Sequence, residues 1–236
     1  KNIAVNLLLV VLSTLVALLL AESFLKVSHP YSAHGVAVEL DWMRHGSDGL
    51  TKLLILEPEF GFRPVLGNEF YNQYGTFNNE YSLAKPPNVT RLLFIGDSVT
   101  ARGKIVNALR GIYGEQGFEY WNAGVESFNT LQEVNWYQKY NSAINADHVI
   151  LTFHLNDFET TPIAFYEGNQ LVVYAPHIPS SWLNPWWFKN SHLYRFLLGV
   201  LIGNTPNREA IVQDMQQSLE ALRNILNQKN ILLTVL

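Results

Sequence analysis

The sequence lacks several residue types on which common functions depend. Its 236 residues include no cysteine, which excludes disulfides, thiolate metal ligands and a cysteine nucleophile. The seven histidines include no H-x-x-x-H pair and no cysteine accompanies them, so we expect no metal and no other cofactor. Charged residues make up 15% of the chain, against roughly 25% in an ordinary soluble domain. The net charge of −4 argues against a nucleic-acid partner held by a basic surface.

Apolar residues are plentiful. They make up 48% of the chain, and aromatic residues alone make up 13%. This composition excludes intrinsic disorder, which requires low hydrophobicity and high charge. The length is sufficient for one α/β domain with a sizeable core.

Residues 3–21, IAVNLLLVVLSTLVALLLA, form a 19-residue run without a single charged side chain. As a helix it would be about 28 Å long, close to the roughly 30 Å of a bilayer core. The run is apolar on every face, which disfavours a core helix of a soluble domain. A cleaved signal peptide is the alternative, but Leu19 fits a cleavage site poorly, so an uncleaved signal anchor is favoured. We assign residues 1–27 to this anchor and expect the following domain on the extracytoplasmic side, periplasmic or extracellular.

Residues 28–90 form a juxtamembrane connecting region with little regular patterning. Residues 36–56 mix apolar and polar side chains and fit a helix on the membrane surface or on the domain. Residues 58–81 are rich in glycine, asparagine and aromatic residues, which is typical of an ordered loop with short extended pieces. A simple spacer is the alternative for this segment.

Strand and helix patterns alternate from residue 91 to residue 236. Short apolar runs at 91–95, 118–121, 148–153 and 231–236 predict strands. Helical spacing of apolar residues predicts helices at 101–115, 131–144 and 208–228. This alternation indicates an α/β domain with a parallel sheet, in which a site forms beyond the carboxyl ends of the strands.

Three of the predicted strands end in residues suited to acyl transfer. Asp97 and Ser98 follow the first strand, Gly124 follows the second, and His154 and Asn156 follow the third. An acyl-transfer site needs a nucleophile and hydrogen-bond donors for the tetrahedral oxyanion. Ser98 is the candidate nucleophile. The backbone N–H groups of Ser98 and Gly124 and the amide of Asn156 are the candidate donors.

The segments GDSVT at 96–100, NAGVESFNT at 122–130 and HLND at 154–157 resemble three sequence blocks of the SGNH, or GDSL, hydrolase family. The resemblance implies a flavodoxin-like three-layer α/β/α fold and a Ser-Gly-Asn-His active site. By it, Ser98 corresponds to the nucleophile, and Gly124 and Asn156 to the oxyanion donors. His154 and Asp97 are candidate substrate contacts. The alternative for Asp97 is a helix cap, and for His154 a hydrogen-bonded structural residue.

The chain departs from the family at the catalytic base. Family members carry the base in a later Asp-x-x-His block, and no Asp-x-x-His occurs in this sequence. Two explanations are open: the C-terminal segment is absent from this chain, or the protein has lost its base. The last residue, Leu236, falls inside a predicted strand, which favours an incomplete C-terminus of the 91–236 domain.

Residues 158–205 form a long insertion between the third strand and the next helix. It contains Trp182, Trp186 and Trp187, followed by the apolar stretch 193–202. Tryptophans beside a short apolar helix suit a membrane interface. A lid packed on the domain and a docking surface for a membrane-protein partner are the alternatives.

Two functions from different classes fit these features. The first is a membrane-anchored SGNH-type serine esterase or O-acyltransferase that acts on envelope glycan or lipid esters through an acyl-enzyme. The second is a catalytically inactive SGNH-like accessory or scaffold subunit of a membrane protein complex.

Overall fold

The computed structural model describes residues 2–28, 54–77, 81–158, 161–167, 170–174, 184–202 and 208–236. The chain divides into two compact units. One comprises Lys1–Glu39 with Tyr174–Asn207, and the other comprises Leu40–Val173 with Arg208–Leu236. Most of the helix predicted at 36–56, and Trp182, lie outside the described residues.

The elements within the described residues are as follows. The α-helices are α1 (Asn2–Ser28), α2 (Ser98–Ala101), α3 (Lys104–Tyr113), α4 (Thr130–Trp136), α5 (Pro185–Asn190), α6 (His192–Ile202) and α7 (Arg208–Gln228). The strands are β1 (Leu54–Glu57), β2 (Gly61–Pro64), β3 (Thr90–Gly96), β4 (Phe118–Asn122), β5 (His148–Thr152), β6 (Ile163–Glu167), β7 (Gln170–Tyr174) and β8 (Leu232–Val235).

Four of these strands form one parallel sheet in the order β4-β3-β5-β8. In the register of the sheet, Leu93 of β3 pairs with Trp121 of β4 on one side and Val149 of β5 on the other. The strands β1 and β2 form an antiparallel hairpin, and β6 pairs with β7.

Helices cover both faces of the parallel sheet. Leu93 and Val149 pack in one core cluster with Leu222 of α7. The neighbouring strand residue Phe94 points to the other side, where it packs with Val106 of α3. Successive strand residues alternate between faces, so these two clusters are the two sides of the sheet. The predicted fold class is confirmed: a three-layer α/β/α unit with a parallel sheet, and one N-terminal apolar helix in the chain.

The segment 54–77 contributes directly to the larger core cluster. Phe60, Phe62 and Tyr71 are buried there together with Trp136. The side-chain amide of Gln132 also donates to the carbonyl oxygen of Phe60 at 2.7 Å. These contacts tie the β1–β2 hairpin to α4 beside the carboxyl edge of the sheet.

Two predicted helices are divided in the structure. The helix predicted at 101–115 consists of α2 and α3, because Gly103 between them adopts a left-handed conformation with φ +69°. The helix predicted at 131–144 changes after α4 to a π-helical turn, Tyr137–Asn141, and then to a 3₁₀ turn, Ser142–Ile144. A π turn adds a residue and re-aims the side chains that follow, and Trp136 and Tyr137 are both buried at this junction.

The helix α1 is long and apolar enough to cross a membrane, a criterion that a signal sequence also meets. Its membrane-length segment, Ile3–Ser28, has no buried residues in the most apolar window. A helical segment that exposes apolar side chains all round is unfavourable in water, because each exposed leucine or valine retains the cost of its hydration. A lipid environment removes that cost.

Candidate active site

Ser98 is the first residue of α2, directly after the end of β3. Asp97 is its N-cap: the carboxylate oxygen Oδ1 of Asp97 accepts the N–H of Val99 at 2.8 Å. Asp97 is buried, at 1% exposure, whereas Ser98 is partly exposed. Among the described residues, none hydrogen-bonds the Ser98 hydroxyl. The turn therefore presents a free hydroxyl at the carboxyl edge of the sheet.

Gly124 lies in the loop after β4 and is buried against α2. A Cβ atom at this position would lie 2.3 Å from the backbone nitrogen of Ala101 and 2.7 Å from the carbonyl carbon of Thr100, so only glycine fits. The N–H of Gly124 donates to Oδ1 of Asn122 at 3.0 Å. The predicted oxyanion donor is thus already hydrogen-bonded in this structure.

Ser127, in the same loop, presents a second N–H. It adopts a left-handed conformation with φ +62° and is partly exposed, and in the described part of the chain its N–H has no acceptor. The N–H of Val125 donates to the carbonyl oxygen of Gly96 at 2.9 Å, which holds this loop beside the Ser98 turn. A left-handed non-glycine residue costs about 1–2 kcal/mol and is typical of functional loops. The sequence analysis did not identify Ser127 as a donor, because it considered only the glycine of this loop.

Asp157 organises the loop after β5. Its Oδ2 accepts the backbone N–H of His154 at 2.5 Å, and its Oδ1 accepts the hydroxyl of Thr130 at 2.7 Å. These bonds fix the 3₁₀ turn Leu155–Phe158 and join it to the first turn of α4. The backbone of Asn156 belongs to this turn, and its side chain lies outside the described residues. Sequence analysis missed Asp157, although it directly follows the predicted oxyanion residue.

His154 and Asp97 lie close together at the same edge. Nδ1 of His154 is 3.8 Å from Oδ2 of Asp97, and the His154 side chain is 53% exposed. The structure thus brings both predicted substrate-contacting residues beside Ser98, which follows Asp97 directly. Their contact with substrate stays a prediction.

Several carboxyl groups lie near one another at this edge and have raised pKa values. Burial and the charges of Asp157 and Asp97 raise the pKa of Glu133 well above its ordinary value. Burial also raises the pKa of Asp157, with Asp97 adding to the effect. Glu126 has a raised pKa for the same two reasons, burial and Asp97. Its ion pair with Arg102, at 3.8 Å, opposes the shift.

Among the described residues, Glu133 has the fewest hydrogen-bond partners of these carboxyl groups. The residue is 1% exposed, and in the described part of the chain neither carboxyl oxygen has a hydrogen-bond partner. An ionised carboxylate without partners is costly to bury, so the folded protein keeps Glu133 protonated above the ordinary carboxyl pKa. The site therefore has a neutral acid beside the buried Asp157.

This assignment predicts a pH effect on stability. Below the ordinary pKa of 4.5, Glu133 is protonated in both the folded and unfolded states. Above it, only the unfolded state releases the proton. The free energy of unfolding of the wild-type protein therefore falls by up to about 1.4 kcal/mol per pH unit until the raised pKa of Glu133 is reached. We expect urea denaturation from pH 4 upward to show this loss in the wild type and not in Glu133→Gln. Glu115→Gln, at an exposed position, is the matched control. If the free energy of unfolding changes with pH in the same way in wild type and in Glu133→Gln, the assignment is wrong.

A cleft of about 140 Å³ adjoins Asp157. Its other lining residues come from the start of α4, the segment before β6 and α7, and they combine polar groups (Asn129, Thr161, Asp214) with apolar ones (Leu131, Ile211, Met215). In the described ranges, no group of three or more histidine or acidic side chains is arranged to hold a metal ion. The cleft is large enough for a small substituent and has both polar and apolar walls.

Comparisons with known proteins find similarity only among solved structures. No family model and no curated protein matches the chain. An acetyl xylan esterase is similar at 14% identity and a TM-score of 0.36, over 61% of this chain and 56% of that one. The chain thus spans little more than half the length of that enzyme. A lipase/acylhydrolase from Enterococcus faecalis is similar at 11% identity and a TM-score of 0.29, over 61% of this chain and 75% of that one.

A catalytic mutant of an acetylxylan esterase from Geobacillus stearothermophilus is also similar. Its identity is 16% and its TM-score 0.27, over 61% of this chain and 74% of that one. The fold assigned above rests on the topology of the chain's own sheet.

Proposed function

We propose that the chain is an SGNH-type serine esterase or O-acyltransferase that acts through an acyl-enzyme on Ser98. One observation carries this proposal: a free serine hydroxyl at the β3–α2 turn lies beside the loops from two neighbouring parallel strands. The carboxyl edge of such a sheet is where α/β proteins bind and transform ligands. The resemblance of the three loop sequences to the SGNH blocks points to ester chemistry at this edge.

In the proposed reaction, Oγ of Ser98 attacks the carbonyl carbon of the ester and passes its proton to an imidazole base, the group that family members carry in the Asp-x-x-His block that this sequence does not contain. The oxyanion accepts hydrogen bonds from the N–H groups of Ser98 and Ser127 and from the amide of Asn156. The ester C–O bond then breaks, and the leaving alkoxide takes the proton back from the base. Water, or a sugar hydroxyl, attacks the acyl-enzyme in the second half of the reaction. Hydrolysis and transfer differ only in this last acceptor.

The proposed substrate is an ester on an envelope glycan or lipid. The helix α1 supports a membrane-anchored form, in which the catalytic unit acts on the extracytoplasmic side near the membrane surface.

Covalent labelling tests the proposal. An alkyl fluorophosphonate phosphonylates a serine only where that serine is activated, so we expect the probe's mass to be added to the peptide that contains Ser98. Ser98→Ala should abolish the label, while Ser142→Ala, which removes a surface hydroxyl on the 3₁₀ turn, should leave it unchanged. A wild-type protein that stays unlabelled while a reference serine esterase in the same membrane preparation is labelled would contradict the proposal.

The second candidate function is an inactive SGNH-like accessory subunit of a membrane complex. The observation that favours it is the N–H of Gly124, which is bonded to Asn122 rather than open to a substrate oxyanion. Under this function, Ser98 is the N-terminal residue of a tight turn and has no activated state. The labelling experiment separates the two functions, because only the enzyme reacts.

A further inference from the structure

The carboxylate of Glu22 in α1 binds the first residues of α6. Its carboxylate accepts the hydroxyl of Ser191 at 2.7 Å, the N–H of His192 at 2.7 Å and the N–H of Leu193 at 2.9 Å. Nδ1 of His192 lies 3.1 Å from the same carboxylate. The first N–H groups of a helix have no partner inside that helix, so Glu22 caps α6 from another helix. We call this set of bonds the Glu22 clamp.

The clamp sets the depth of α6 relative to α1. Residues 3–21 span about 28 Å as a helix, close to the thickness of a bilayer core. Glu22 is the first charged residue after them, so it lies at the boundary between acyl chains and headgroups when α1 spans the membrane. The start of α6 lies at the same boundary. At 1.5 Å per residue, α6 extends about 16 Å, too short to span the bilayer by itself.

The two faces of α6 differ in chemistry. His192, Arg195 and Leu198 are spaced by three residues and are buried. Leu197, Val200 and Leu201 are exposed. The single basic guanidinium of α6 is thus directed inward, and the outer face carries no charge. Such a face is unfavourable in water and favourable in lipid.

The preceding helix, α5, extends this surface with aromatic residues. Trp186 and Trp187 are 63% and 52% exposed, and their rings pack edge to face at 4.8 Å between centroids. The N–H of Ser191 donates to the carbonyl oxygen of Trp187 at 2.9 Å, so the pair lies one helical turn from the clamp. Tryptophan is enriched at the depth at which the clamp places it. Lys189 is also exposed, and a lysine at this depth can keep its apolar stem in lipid while its ammonium group reaches the phosphates.

We propose that α5 and α6 form an interfacial membrane element whose outer face, Trp186, Trp187, Leu197, Val200 and Leu201, lies in the lipid bilayer. The occupant is lipid because this face is uncharged, carries tryptophan at the headgroup boundary and is held against a helix whose most apolar window has no buried residue. The inference rests on α1 spanning the membrane and is independent of ester chemistry at Ser98.

The absence of cysteine makes a direct test possible. A nitroxide spin label is attached to Val200→Cys in the full chain, reconstituted in phosphatidylcholine vesicles. Leu9→Cys in α1 is the lipid reference, and Asn227→Cys on the exposed surface of α7 is the aqueous reference. We expect the ratio of oxygen to nickel-chelate accessibility at residue 200 to match that at residue 9 and to exceed that at residue 227 several-fold.

Each other outcome overturns the proposal. A ratio at residue 200 equal to that at residue 227 places the face in water. Low accessibility to both reagents places it against protein, either a second copy of the chain or a partner.

A second pair of variants tests the clamp. Glu22→Gln removes the charge and one acceptor, so the ratio at residue 200 is expected to fall several-fold. Ser23→Ala, at the neighbouring exposed position, should leave it unchanged. The label at residue 9 is measured in the same variants, and an unchanged value shows that α1 itself stays inserted. An unchanged ratio at residue 200 in Glu22→Gln would overturn the role of the clamp.

Discussion

Ser98→Ala is expected to lower kcat/KM for a short aryl ester by on the order of 10³-fold. The substitution removes only the hydroxyl oxygen. The N-cap bond from Val99 to Asp97 is made by other atoms and survives, so the loss measures chemistry rather than folding. The residual rate in Ser98→Ala comes from direct attack of water on the ester, which only the oxyanion donors assist. The measurement is the initial rate of aryl acetate hydrolysis by the full-length protein in detergent or vesicles.

Two variants control this experiment. Ser142→Ala removes a hydroxyl from the protein surface and should keep the wild-type rate. Thr100→Val is informative in a different way, because Thr100 is buried beside Ser98 and its hydroxyl bonds to Thr152. We expect this variant to lose stability while its remaining folded fraction hydrolyses the ester. Equal rates for wild type and Ser98→Ala would exclude Ser98 as the nucleophile.

Elements with strong local signals could be predicted from the sequence. The bounds of α7 follow from apolar residues at helical spacing, and the structure buries Ile211, Leu222 and Leu226 from that face. The strand β3 follows from an apolar run that ends at Gly96, where φ is +153° and a Cβ atom would lie 2.2 Å from the hydroxyls of Thr100 and Thr152. In these cases a local pattern and the tertiary packing require the same conformation.

The hairpin of β1 and β2 could not be predicted because its stabilising contacts are distant in sequence. The rings of Phe60 and Phe62 pack edge to face against Phe128, about 65 residues away in the chain. Glu57 likewise pairs with Lys139 at 3.1 Å. No periodicity within the segment carries that information, since its order depends on partners that fold elsewhere.

The candidate site was predictable in position but not in detail. Ser98, Gly124 and Asn156 mark three strand ends, and parallel topology brings strand ends together. The hydrogen-bonded state of the Gly124 N–H depends on the rotamer of Asn122, and the orientation of the Ser127 N–H depends on a backbone torsion. Neither the rotamer nor the torsion can be inferred from residue identity alone. The raised pKa of Glu133 similarly results from burial among carboxyl groups from other elements.

The largest expected effect on stability belongs to Arg91. Its side chain is fully buried at the start of β3, and its Nε donates to Oε2 of Glu119 on β4 at 2.6 Å. Its other nitrogens donate to three backbone carbonyl oxygens, those of Ser82, Leu83 and Ile144, at 2.6 to 2.8 Å. One guanidinium thus joins the chain entering the sheet, the neighbouring strand and the turn after α4.

Arg91→Met is therefore expected to lower the free energy of unfolding by about 3–5 kcal/mol, because it leaves Glu119 charged and three carbonyl groups without donors in the core. Arg91→Lys should recover little, since an ammonium group cannot reach four acceptors in the geometry of a planar guanidinium. Pairing Arg91→Met with Glu119→Leu removes the stranded charge and should restore part of the loss. Arg102→Met, which breaks an exposed pair with Glu126, should cost under about 1 kcal/mol. Urea denaturation measures all four variants, and an Arg91→Met protein within about 1 kcal/mol of wild type would show that the buried pair contributes no more than an exposed one.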